Sequence, residues 1–79
     1  MTKTEIYEAL TVIFRDLFMD DDIILKSDMS ADDVDGWDSG ANLNIIAAVE
    51  QRFQIKVRTM EIAQLMNVGD IAKMVESKL

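Results

Sequence analysis

Ser39 lies in the run Asp35-Gly36-Trp37-Asp38-Ser39-Gly40, and an apolar period of helical type begins just after it, at Leu43. One hydroxyl is therefore placed at the mouth of a helix, behind a long acidic segment. The chain has no His and no Cys, so no imidazole is available to turn that hydroxyl into a nucleophile. A serine displayed without catalytic helpers fits a point of covalent attachment. The same absences exclude Ser-His-Asp and Cys-His catalysis and the usual zinc ligands, and no glycine-rich phosphate loop is present. Carboxylates are plentiful, but they lie in a polar stretch with no apolar pocket to drive their pKa values apart, as acid–base pairs require. The chain is read as a non-enzyme.

Calcium is the remaining chemistry to weigh, because Asp33-x-Asp35-Gly36 imitates part of an EF-hand loop. With Gly36 as the turn glycine, the loop would begin at Ala31 and end at Asn42, lacking both the first carboxylate and the closing Glu. Starting at Asp33 places Asp38 where the glycine belongs and ends the loop at Asn44. Neither register works, and no metal site is expected.

Helices must position Ser39. Thr2 and Glu5 have the spacing of a capping box. Ile6, Leu10, Ile13 and Leu17, widened by Phe14 and Phe18, continue as an amphipathic stripe, which predicts a helix from about Thr2 to Phe18. From Met19 to Trp37 no period is sustained. The segment is rich in Asp, but Ile23, Ile24, Leu25, Met29 and Val34 should tie it to the core, with Ser27 or Ser30 capping a short turn. Structureless loops longer than about 12–15 residues are uncommon in compact domains and are usually functional or disordered. Asp38 or Ser39 should cap the next helix, running to about Phe53. Leu43, Ile46, Ala47, Glu50 and Phe53 fall on one flank, with Ile45 and Val49 beside it. Ile55 and Val57 suit a short extended link, and Met60 to Leu65 a single helical segment. Asn67 and Asp70 mark a final helix start, followed by the stripe Val68, Ile71, Ala72, Val75 and Leu79. The expected fold is all-α: a small bundle with one long ordered loop between the first and second helices, forming a single domain over residues 1–79.

Composition agrees with this. The chain has 79 residues, 49% of them hydrophobic, with no Pro and only three Gly. This is near the lower limit of independent folding, and no disulfide is available as a staple. The net charge of −7 argues against nucleic acid and anionic membranes as partners and favours solubility and basic protein partners. No apolar run is long enough for a membrane span and the start lacks signal-peptide order. A cytoplasmic monomer is expected.

Beyond these readings, Asp35-Gly36-Trp37-Asp38-Ser39 followed by Leu43 to Ile55 resembles the central region of acyl carrier proteins. Met60-Glu61-Ile62 and Asn67-Val68-Gly69-Asp70-Ile71 resemble the family's third and fourth helices. The resemblance covers nearly the whole chain and implies a small four-helix bundle of acyl-carrier type. It implies that Ser39 carries phosphopantetheine, taken from coenzyme A by a dedicated Mg²⁺-dependent transferase, and that Asp38 helps present Ser39 to that enzyme. The thiol of the arm would hold acyl groups as thioesters for fatty-acid, polyketide or related lipid and secondary-metabolite biosynthesis. Partner enzymes with basic docking patches would meet Asp35, Gly40, Asn44, Glu50, Gln51 and Glu61. Leu43, Ile46, Ala47, Ile62, Met66 and Ile71 are expected to line an apolar space for cargo between the second helix and the last two.

The chain departs from the family pattern at Gly40, where the family usually has Leu, and at Asn44 and Gln51, where fatty-acid carriers often have Glu. Those departures favour a specialised pathway over general fatty-acid synthesis. The alternatives are an unmodified acidic helical interaction module and a carrier of aminoacyl or peptidyl groups.

Overall fold

A computed structural model describes all residues, Met1–Leu79. Its elements are α1 (Lys3–Phe18), a single 3-10 turn (Ala31–Asp33), α2 (Ser39–Phe53), the short α3 (Thr59–Ile62) and α4 (Val68–Lys78). No strand forms; Ile55 and Val57 sit half-buried against the core in an irregular link. No helix is long and apolar enough to cross a membrane.

The termini of the helices follow from local chemistry. The Thr2 hydroxyl accepts the Glu5 amide at 3.2 Å, and the Glu5 carboxylate accepts the Thr2 amide at 2.9 Å, so the capping box forms as its spacing predicts. Met19 and Gln54 end α1 and α2 in the left-handed conformation, at φ 51° and 57°. Each turns its own amide back to a carbonyl of the last turn, Arg15 and Glu50 respectively, satisfying acceptors that a helix end leaves free.

α1 is the centre of the bundle and packs on both α2 and α4. Ile6, Leu10 and Phe14 are fully buried and meet Ile45 and Val49 of α2 and Val68, Ile71 and Val75 of α4 in one cluster. Two apolar stripes differ from the sequence expectation. Leu17 is 40% exposed, and Ala9, which is not part of the expected stripe, is buried. On α2 the buried residues are Ile45, Ile46, Val49 and Phe53, whereas Leu43 is 60% exposed and Ala47 also faces solvent. The α2 sequence offers two overlapping helical periods. Packing against α1 selects the one containing the β-branched Ile45 and Val49 and Phe53, which leaves Leu43 and Ala47 on the other side.

The segment between α1 and α2 is tied down by backbone as well as by side chains. The Val68 amide donates to the Met29 carbonyl and the Gly69 amide to the Ser27 carbonyl, both at 2.8 Å. Two otherwise unpaired amides at the start of α4 are thereby satisfied. The approach is so close that a Cβ on residue 69 would stand 2.9 Å from the Ser27 carbonyl oxygen, which is why a glycine occupies this position. Ile23 and Val34 are buried in the main core, and Arg15 Nε donates to the Ile23 carbonyl at 2.9 Å. The Ser30 amide donates to Asp33 at 3.0 Å, which closes the short turn at one of the two serines expected to cap it.

Candidate functional site

The chain enters the site through Gly36, whose φ of +89° is open to glycine and strained for other residues. The turn is closed by the Trp37 amide on the Val34 carbonyl at 3.2 Å. Trp37 then buries its ring edge-on against Phe14, with centroids 5.2 Å apart. Its indole Nε1 donates to Asn42 Oδ1 at 3.2 Å, bridging over Asp38 and Ser39. The path into the serine is therefore anchored to the core on one side and to the first turn of α2 on the other.

Asp38, and not Ser39, caps α2. Asp38 Oδ1 accepts the Ala41 amide at 2.8 Å, and the Asn42 amide donates to the Asp38 carbonyl at 2.9 Å. Ser39 is the first helical residue, is exposed, and its hydroxyl makes no hydrogen bond within the chain. Nor do the amides of Ser39 and Gly40 find a protein acceptor. The hydroxyl thus has no structural task and stands beside free amides at the positive end of a 15-residue helix, a setting that favours an attached or bound anion.

Beside Ser39 lies an open cleft of about 300 Å³, lined by Ala31, Trp37, Asp38, Ser39, Asn42, Leu65 and Met66. Of the residues that sequence reasoning assigned to the site, the cleft brings together Ser39, Asp38 and Met66. Ala31, Trp37, Asn42 and Leu65 were not assigned. Asn42 carries no signal in the sequence, because its role depends on a bond to an indole five residues earlier.

The residues expected to line an apolar cargo space are spread over several environments. Ile46 and Ile71 are buried, Ile62 is half-buried, Ala47 is exposed, and Leu43 and Met66 are 60% and 72% exposed. Among the residues expected to meet partners, Asp35, Gly40, Asn44 and Gln51 are exposed. Glu50 and Glu61 are half-buried and engaged within the chain. Glu50 Oε2 accepts the Val57 amide at 2.9 Å, fixing the link after α2. Glu61 Oε2 pairs with Lys78 Nζ at 3.0 Å, fixing α3 to the end of α4.

The hydrogen bond from Lys78 and, after it, the Arg58 amide hold the Glu61 carboxyl below its ordinary pKa. Its folded-state value is depressed, so its stabilisation is fully present above the ordinary carboxylate value and is lost as pH falls through the folded value. The effect is small because the pair is open to solvent. A side-chain carboxyl titration by NMR should show Glu61 with a low midpoint in the native chain, moving upward in Lys78→Met. An unchanged midpoint in that variant would remove the ion pair from the account.

Gly40 has no left-handed φ, and a Cβ there would meet only Asp38 Oδ1, at an ordinary 3.5 Å. Gly40→Leu is therefore sterically allowed and should raise stability by up to about 1 kcal/mol, less so close to the helix end. Denaturant midpoints of the two chains test this, and a destabilised variant would show that the first turn cannot hold a side chain.

No protein-family model matches the chain, and no curated protein matches it. Among solved structures, it is similar to the solution NMR structure of the holo acyl carrier protein from Geobacter metallireducens. The identity is 44%, the match covers 91% of this chain and 83% of that chain, and the TM-score is 0.85.

Proposed function

The chain belongs to the acyl carrier protein family, and on that premise we propose that Ser39 is the attachment point of a phosphopantetheine arm. The arm, once bound, supplies the thiol on which acyl groups travel as thioesters. A chain without cysteine has no thiol of its own. The observation that carries the assignment is the division of labour at the start of α2: Asp38 caps the helix, and the Ser39 hydroxyl is exposed and unengaged. An N-cap serine would have had a structural role sufficient to explain it; this serine has none.

The local surroundings fit the group. The free amides of Ser39 and Gly40 can receive a phosphodiester, and the missing side chain at Gly40 leaves the approach open. Asp38, fixed by its own capping bond, holds the turn that presents Ser39 to the Mg²⁺-dependent transferase. The cleft beside Ser39 offers Trp37, Leu65 and Met66 to the first part of the arm or its cargo, and Met66 adapts readily to variable apolar shapes. The buried Ile46 and Ile71 and the half-buried Ile62 supply apolar surface into which a longer acyl chain would have to open a path.

The exposed Gly40, Asn44 and Gln51 support service in a specialised polyketide, lipid or secondary-metabolite pathway rather than in general fatty-acid synthesis. Incubation with coenzyme A and a broad-specificity transferase should increase the intact mass by one phosphopantetheine. A chain left unchanged by several such enzymes would favour an interaction module without a prosthetic group.

A further inference from the structure

The face of α2 that continues from Ser39 presents no free charge to solvent. Its solvent-facing residues from Ser39 onward include Gly40, Leu43, Asn44, Ala47 and Gln51, which helical spacing places on neighbouring turns of one face. Of the two charged residues of α2, Glu50 is engaged within the chain and Arg52, though exposed, lies off this face. Glu50 holds the Val57 amide, and Arg52 lies in a cleft with Glu5, Glu8 and Val12 of α1. Leu43, one turn above Ser39, is 60% exposed, and Met66, across the cleft from Ser39, is 72% exposed. Two large apolar side chains thus flank the serine. Free negative charge lies instead on the loop side. Asp32, which follows the cleft residue Ala31, and Asp35, four residues before Ser39, are exposed there, and neither joins the one ion pair of the chain.

We infer that the enzyme which loads Ser39 seats Leu43 and Met66 in an apolar socket and places its basic groups opposite Asp32 and Asp35, not along α2. This rests on Ser39 being the loaded residue. Any enzyme that reaches the Ser39 hydroxyl must cover its neighbours, so these side chains are buried in that encounter. Leu43 stands three residues along from Gly40, where the chain has no side chain to offer. Apolar burial then sets how tightly the complex is held, and the loop carboxylates set how fast it forms.

Loading kinetics with coenzyme A and a broad-specificity transferase, at low and high ionic strength, test this. The variants are Leu43→Ser, Met66→Ser, the double variant Asp32→Asn/Asp35→Asn, and Val12→Ser, whose side chain is as exposed as that of Leu43 but lies on α1. All four alter exposed positions, and circular dichroism would confirm that each folds. Leu43→Ser and Met66→Ser should raise KM about tenfold, equally at both salt levels. The double variant should slow loading at low salt and flatten the salt dependence. Val12→Ser should match the native chain. If the native chain is loaded but Leu43→Ser and Met66→Ser keep its KM, or Val12→Ser is equally impaired, the socket is refuted while the attachment site stands. If the salt dependence survives removal of the two loop charges, the basic groups are misplaced. A native chain that is never loaded overturns both the attachment site and this surface.

Discussion

Ser39→Ala should abolish loading from coenzyme A completely and leave the fold untouched. Both halves of that expectation come from the same geometry. The hydroxyl is the only atom lost, and it makes no hydrogen bond in the chain. The capping bond belongs to Asp38, whose carboxylate holds the Ala41 amide at 2.8 Å. Alanine is at least as good as serine at the first helical position, so the denaturant midpoint should hold or rise slightly. Asp38→Ala is the informative contrast. It removes the cap and should cost about 1 kcal/mol, while leaving the hydroxyl in place on a less firmly held turn, so loading should slow without vanishing. Intact-mass kinetics on the two variants, with urea unfolding of each, separate the roles. If Ser39→Ala is loaded, the attachment site lies elsewhere. If it is strongly destabilised, the serine has a structural function that the geometry does not reveal.

The second large effect is expected far from the serine, in α1. Phe14 is fully buried, touches the Trp37 ring edge-on at 5.2 Å and packs on Phe18 at 5.8 Å. Phe14→Ala leaves a cavity at the junction of α1 and the turn that delivers Ser39. Truncations of this kind cost about 3–5 kcal/mol, against a total of about 5–15 kcal/mol for ordinary domains. A chain of 79 residues without cross-links belongs toward the lower end of that range. The variant should therefore be largely unfolded or close to it at ordinary temperature. Trp37 is the sole tryptophan and only 9% exposed, so its fluorescence reports directly: the emission should shift to the red and the urea midpoint should collapse. Phe18→Ala, at a half-buried position, should lose much less. Equal losses at the two positions would show that the Phe14–Trp37 contact is not what anchors the turn.

These expectations show which parts of the molecule are legible in its sequence. The first helix is, because a capping box and a sustained apolar period each indicate the same start. The position of Ser39 is also legible, since a turn glycine and a capping carboxylate precede it within four residues. The buried flank of α2 is not, because Leu43 and Ala47 fit a helical stripe as well as Ile45 and Val49 do. Only the partner helix decides between them. Which of two adjacent polar residues caps α2 is equally undecidable from composition, since Asp and Ser serve alike at that position. The docking of the long loop on α4 leaves little trace, because it runs through backbone hydrogen bonds from Val68 and Gly69 that any side chain pattern allows. Glycine at position 69 is the one residue that hints at it. The engagement of Glu61 with Lys78 links residues 17 positions apart. It gives a carboxylate expected to meet partners a role within the chain, clasping α3 to α4.

The most direct measurement is fragmentation mass spectrometry of the loaded chain. Cleavage after Lys26 and Arg52 releases one peptide that contains Ser27, Ser30 and Ser39 together. The account predicts a single phosphopantetheine, with every fragment ion that carries it including Ser39 and none assigning it to Ser27 or Ser30. Modification at either of those serines, or a fully unmodified peptide after exposure to competent transferases, would contradict it.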